Sequence, residues 1–124
     1  MNPIILLFAI MLQVELQPDY PPRSIILFGN KQAAEVTEQW ELLKGDSSGL
    51  AERDVKLTWV KPGSPLYKKY AIDAGNPITV ILVGRDGEEK YRSNKITASS
   101  HFFALIDAMP MRKAEMKKDK KNLQ

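Results

Sequence analysis

The chain predicts an α/β domain with the order β-α-β-α-β-β-α on a mixed four-stranded sheet. Three observations predict it. Ser24–Phe28 and Ile78–Val83 are short apolar runs with the length and composition of buried strands. Lys31–Lys44 repeats its apolar residues on a helical period. Asp86-Gly87 separates an apolar run from a polar returning one, a strong hairpin signal, and an amphipathic helix follows.

The elements follow in order. Ser24–Phe28 ends at Gly29-Asn30, and Asn30 is placed to cap the first helix. Within Lys31–Lys44, Ala33, Val36, Trp40 and Leu43 share one face, and Lys31, Glu35, Glu38 and Glu41 lie opposite. Gly45 is placed to end the helix, and Asp46–Gly49 reads as a loop. In Val55–Val60, Val55, Leu57 and Trp59 alternate with Lys56 and Thr58, a strand with one buried face. Ser64-Pro65 supplies a cap and a first helical position, and the short helix Leu66–Ala74 runs to Gly75.

Ile78–Val83 is almost continuously apolar, as expected of a central strand covered on both faces. Glu89–Ser93 returns after the turn. Ser99 or Ser100 caps the last helix, with Phe102, Phe103, Ile106 and Met109 as its buried stripe. Pro110 lacks the donor to the carbonyl of Ile106, so it ends or kinks that helix, and a second helical piece starts there. Helical crossovers between neighbouring strands imply that those strands run parallel, and the final hairpin adds an antiparallel edge.

The 124 residues carry a formal charge of +3 and no cysteine. Disulfide exchange, thiolate catalysis and cysteine-bound zinc are therefore excluded. Charge is uneven. Residues 112–124 hold Arg112, Lys113, Lys117, Lys118, Lys120 and Lys121 against Glu115 and Asp119, six minus two or +4; the rest is therefore −1. A nucleic-acid footprint would rest on this tail alone, and a solvated end is the commoner reading. Pro3–Leu12 is an uncharged apolar segment, shorter than the roughly 20 residues a spanning helix needs. It fits the core of a signal peptide, the alternative being a buried first strand. Gln17–Arg23 contains three prolines and reads as an extended linker, which favours the leader. The expected organisation is a signal peptide over 1–16, a proline-rich linker over 17–23, the domain over 24–116 and a basic disordered tail over 117–124.

The order of elements is the minimal arrangement of a thioredoxin-like domain. Leu82–Gly87, Lys90, Arg92 and Ile106–Met116, with Ser24–Gly29 and Leu50–Val55, resemble a thioredoxin-like family of uncharacterised function. That family occurs in bacterial exported proteins and in animal matrix proteins such as equarin and the sushi-repeat-containing proteins. The resemblance covers roughly Arg23 to Met116. It implies the fold and an exported location, periplasmic or extracellular, with the cytoplasm as the alternative. It carries over no catalytic role. Such folds place an active cysteine after the first strand, where this chain has Gly29–Ala33. They also commonly hold a cis-proline before the central strand, which implies a cis Asn76-Pro77 bond, against the general preference for trans.

Candidate chemistry is sparse. His101 is the only histidine, in the first turn of the last helix, and reads as solvated. No catalytic residue, metal site or cofactor is assigned. Arg85, Asp86, Lys90 and Arg92 with Asp107 and Arg112 form the main charged cluster. Arg92 is expected to pair with Asp107 and pin the last helix to the hairpin. The functional alternative is an anion-binding surface of guanidinium groups. Asn30 and Pro77 mark the place where the fold's active groove would lie. The expected function is a redox-inactive module binding a protein, peptide or glycan partner. The alternatives are an enzyme with an Arg/Asp-based site and, more weakly, nucleic-acid binding through the lysine tail.

Overall fold

The computed structural model describes residues 20–122. The expected leader, the first three residues of the linker and the last two of the tail lie outside these residues. The elements are β1 (Arg23–Gly29), α1 (Ala34–Gly45), α2 (Ser47–Glu52), β2 (Val55–Val60), α3 (Pro65–Lys69), β3 (Ile78–Val83), β4 (Glu89–Ser93), α4 (Ser99–Asp107) and α5 (Pro110–Asn122). The four strands form one sheet in the order β2-β1-β3-β4.

β1 and β2 are parallel, whereas β3 is antiparallel to both β1 and β4. The expectation of parallel neighbours across each helical crossover therefore holds only for the first. β2 and β3 lie on opposite sides of β1, so the segment carrying α3 does not link neighbouring strands. All six residues of β3 are buried, as its continuous apolarity predicts.

The alternation of side chains builds two cores. Ile25, Leu27, Val80 and Leu82 meet Val36 and Leu43 of α1, Leu50 of α2, and Phe102 and Ile106 of α4. Ile26, Phe28, Val60, Ile81 and Val83 face the other way, toward Leu66, Tyr67, Tyr70 and Ile72 around α3. The sheet is thus the middle of three layers. Gln39 is fully buried, and ties α1 to the loop before α4: its Nε2 donates to the carbonyl of Thr97, and its Oε1 accepts from the Thr97 amide.

Several boundaries differ from expectation. Asn30 does not cap α1; its Oδ1 accepts from the amide of Gln32 two residues on, and the cap position falls on Ala33. Residues 47–52 are helical, not loop. Gly49 lies against the ring of Phe103, where an added Cβ would come within 2.6 Å, so this short helix packs on α4 through a residue without a side chain. Ser64 and Pro65 start α3 as expected, with Ser64 Oγ accepting from Leu66, but the helix stops at Lys69, well short of Gly75. Ala98, not Ser99 or Ser100, holds the cap position of α4. Arg23, assigned to the linker, is the buried first residue of β1. Pro110 opens α5, which continues through 117–122, so the basic segment placed in a disordered tail is helical that far.

Candidate functional site

The strand directions divide the predicted site residues between two ends of the sheet. β1 and β2 finish at Gly29 and Val60, beside the start of β3. Asn30 and Pro77 lie at this end, both near the surface. Gly29 explains why the chain passes so closely here: an added Cβ would sit 2.8 Å from the carbonyl oxygen of Pro77 and would also meet Val36. The Asn76-Pro77 bond is trans, correcting the cis expectation; no cis peptide occurs among the described residues.

A depression of about 390 Å³ opens at this end, lined by Asn30, Lys31, Gln32, Trp59, Lys61 and Pro62. The β1–α1 loop supplies the first three, and the end of β2 the others. Trp59 Nε1 donates to the carbonyl of Gly29 at 3.0 Å, and its ring packs on Trp40 with centroids 5.2 Å apart. The indole is therefore held from both sides. Lys31 and Lys61 are exposed and enter no ion pair among the described residues. The arrangement offers a fixed aromatic surface, two amides and two cations, which suits a polar or anionic ligand. Of these residues, sequence reasoning singled out only Asn30 as a site. The available signal was a tryptophan followed by Lys61-Pro62 at a strand end facing the loop of Gly29–Ala33.

The opposite end holds Arg85, Asp107 and Arg112, joined by Arg23, Arg53, Glu52, Asp54 and Glu115, none of which sequence reasoning assigned to a site. Arg53 makes two bonds of 3.0 Å to Asp107, and Arg112 Nε reaches the same carboxylate at 3.2 Å. Arg85 holds Glu115 at 2.8 Å and Asp54 at 2.8 Å, while Arg23 reaches Glu115 at 3.2 Å. Four guanidinium groups meet four carboxylates, so the cluster is neutral. Arg23 and Arg112 are nearly sealed from solvent. Hydrogen bonds from Arg53, opposed by partial burial and helped by Arg112, hold Asp107 below the usual carboxylate range. Burial disfavours the charge on Arg85, but Asp54 and Glu115 outweigh it and raise its pKa. Each guanidinium already holds a carboxylate, and α5 is clamped to the sheet and to α2. This chemistry is structural.

Asp86 on the β3–β4 turn and Lys90 of β4 stand beside the cluster, paired at 2.7 Å. The Lys90 ammonium, then the amide of Glu88, lower the pKa of Asp86; the same pairing raises Lys90. Arg92 does not pair with Asp107. It sits opposite Ile81 in the sheet register and so faces the α3 layer, whereas α4 lies on the other side. There it binds Glu89 at 2.6 Å and the carbonyls of Tyr70 and Ala71, and Glu89 raises its pKa. His101 is exposed and packs against Tyr91 with the rings tilted and their centroids 4.8 Å apart.

Known proteins of solved structure share this layout. One described as thioredoxin-2, a component of malaria parasite protein secretion machinery, superposes with a TM-score of 0.59 at 18% identity, over 71% of this chain and 84% of its own. A malarial protein gives 0.58 at 19%, over 70% and 96%. StoA from Bacillus subtilis gives 0.57 at 13%, over 71% and 84%. These likenesses show the fold: the domain is thioredoxin-like, and it lacks cysteine. No curated protein matches the chain. Residues 21–115 match the family model described as a domain of unknown function (DUF4174), and the chain belongs to that family.

Proposed function

With that membership as the premise, we propose that this chain is a redox-inactive thioredoxin-like binding module, exported from the cytoplasm, that recognises a protein, peptide or glycan partner. The observation that carries the reading is the depression where β1 and β2 end. In it, the loop Asn30-Lys31-Gln32 stands where a thioredoxin-like fold would present its thiol, facing the fixed indole of Trp59. Without a thiol, this loop has no electron or sulfur to exchange. What it retains is a recessed surface with donors, acceptors and positive charge. Export rests on the leader-like Pro3–Leu12 and on the exported proteins that the chain resembles.

Two experiments test the reading. Tryptophan fluorescence of the full chain is titrated with a panel of peptides and oligosaccharides, beside a Lys31→Ala/Lys61→Ala variant. A ligand that perturbs the wild type and binds the variant at least tenfold more weakly supports the site. Equal binding to both removes it. For location, the intact mass of the protein from fractionated native cells is measured. A mass short by about the first 16–23 residues in an exported fraction supports export, and a full-length cytosolic mass overturns it.

A further inference from the structure

We propose that the partner is an extended acidic peptide, which adds as a strand to the outer edge of β2 with its side chains in the depressions on either side of Trp59–Pro62. The inference rests on the binding reading above and names its ligand class and pose.

Three observations carry it. First, among the described residues β2 is an edge strand of the sheet. The Arg23 amide donates to the carbonyl of Asp54, and Arg23 is in register with Val55. In a parallel ladder this alternation turns the N–H and C=O of Val55, Leu57 and Trp59 away from β1, toward the open side. A strand laid there finds a row of backbone donors and acceptors.

Second, an added strand sends successive side chains to opposite faces. One depression lies on the face of Trp59, toward Asn30–Gln32. Another, of about 460 Å³, lies on the face of Thr58 and Val60, toward Ser64 and Leu66. They share Trp59, Lys61 and Pro62, so alternate residues of one extended chain reach both.

Third, the cations beside this edge are Lys31, Lys56 and Lys61, all exposed and outside any ion pair among the described residues. The arginines are occupied by carboxylates. The lysines of α5, unpaired among the described residues, stand at the other end of the sheet, where Glu115 and Arg112 hold that helix to Arg23 and Glu52. Lys31, Lys56 and Lys61 therefore supply the positive charge along this edge. Such an edge repels a basic strand and a second copy of itself, and attracts an acidic one.

The test uses the full chain and a short capped peptide of alternating Glu and Thr. Its controls are a Lys/Thr peptide, the Glu/Thr peptide N-methylated at alternate residues in either frame, and a uronic-acid oligosaccharide. Binding is read by tryptophan fluorescence, and edge protection by amide hydrogen exchange. The expected result is binding of the Glu/Thr peptide only, weakened about tenfold by Lys61→Ala. One methylated frame abolishes it, and the Val55, Leu57 and Trp59 amides become protected. If both methylated frames bind like the parent, strand addition is overturned while the site stands. If the oligosaccharide binds and the peptide does not, the peptide class is wrong but the binding reading survives. If neither perturbs Trp59, the inference fails and the binding reading loses its support. If the three amides are already protected in the free protein, the edge is occupied by the chain itself or a second copy, and the inference is overturned.

Discussion

Replacing Arg112 with Met removes the buried centre of the clamp on α5. Arg112 is 3% exposed, and its partners are Asp107 at 3.2 Å and Glu52 at 3.3 Å. Removing one member of a fully buried pair costs about 3–5 kcal/mol, and of an exposed pair about 0–1. Here the cation is buried, but the carboxylates are 33% and 63% exposed. Asp107 also keeps both bonds from Arg53, so no carboxylate is orphaned. The Glu52 bond, to the more exposed acid, contributes little. Methionine recovers part of the packing of the arginine stem. The expected loss is about 2 kcal/mol, or about 8 °C in Tm for a domain of this size. Urea unfolding followed by circular dichroism measures it, with an unchanged m-value showing that stability alone has moved. Arg112→Lys restores charge without the planar fork and should recover less than half. A surface control, Lys117→Met, should stay within about 0.5 kcal/mol. If Arg112→Met costs no more than that control, the cluster is not what holds α5, and the structural reading of these arginines fails.

The remaining predictions concern acid, close packing and the core. Asp107 titrates below its ordinary range, so its contribution is complete above about pH 4 and drains as the pH falls toward the depressed value. Asp107→Asn should therefore flatten the loss of stability below about pH 4, and identical acid-unfolding profiles would contradict this. Gly29→Ala forces a methyl against the Pro77 carbonyl and Val36, and should cost about 1–3 kcal/mol by thermal unfolding. Phe102→Ala empties a fully buried position beneath the sheet and should cost about 3–5 kcal/mol by denaturant titration. Trp59→Phe loses the bond to the Gly29 carbonyl, worth about 1 kcal/mol, and should remove most of the ligand-dependent fluorescence change.

The sequence by itself determined every strand and the principal helices, because each carries its own period. Ile78–Val83 announces a strand buried on both faces, and Asp86-Gly87 announces the hairpin. The absence of cysteine closed off thiol chemistry before any fold was known. Helix α2 was not legible, because DSSG has no apolar repeat; Leu50 and the close packing of Gly49 on Phe103 make it helical only in place. The ion pairs were legible as residue types but not as partners. Arg92 and Asp107 are close in sequence, yet the pleat sends Arg92 to one face of the sheet while α4 packs on the other. Arg53 and Arg23, far from Asp107 and Glu115 along the chain, take those carboxylates instead. Likewise, only the sheet order brings Trp59 and Lys61 beside Asn30–Gln32. Periodicity is a local property that a short stretch of chain can encode; which side chains meet across elements depends on strand order, direction and register, and those exist only once the sheet has assembled.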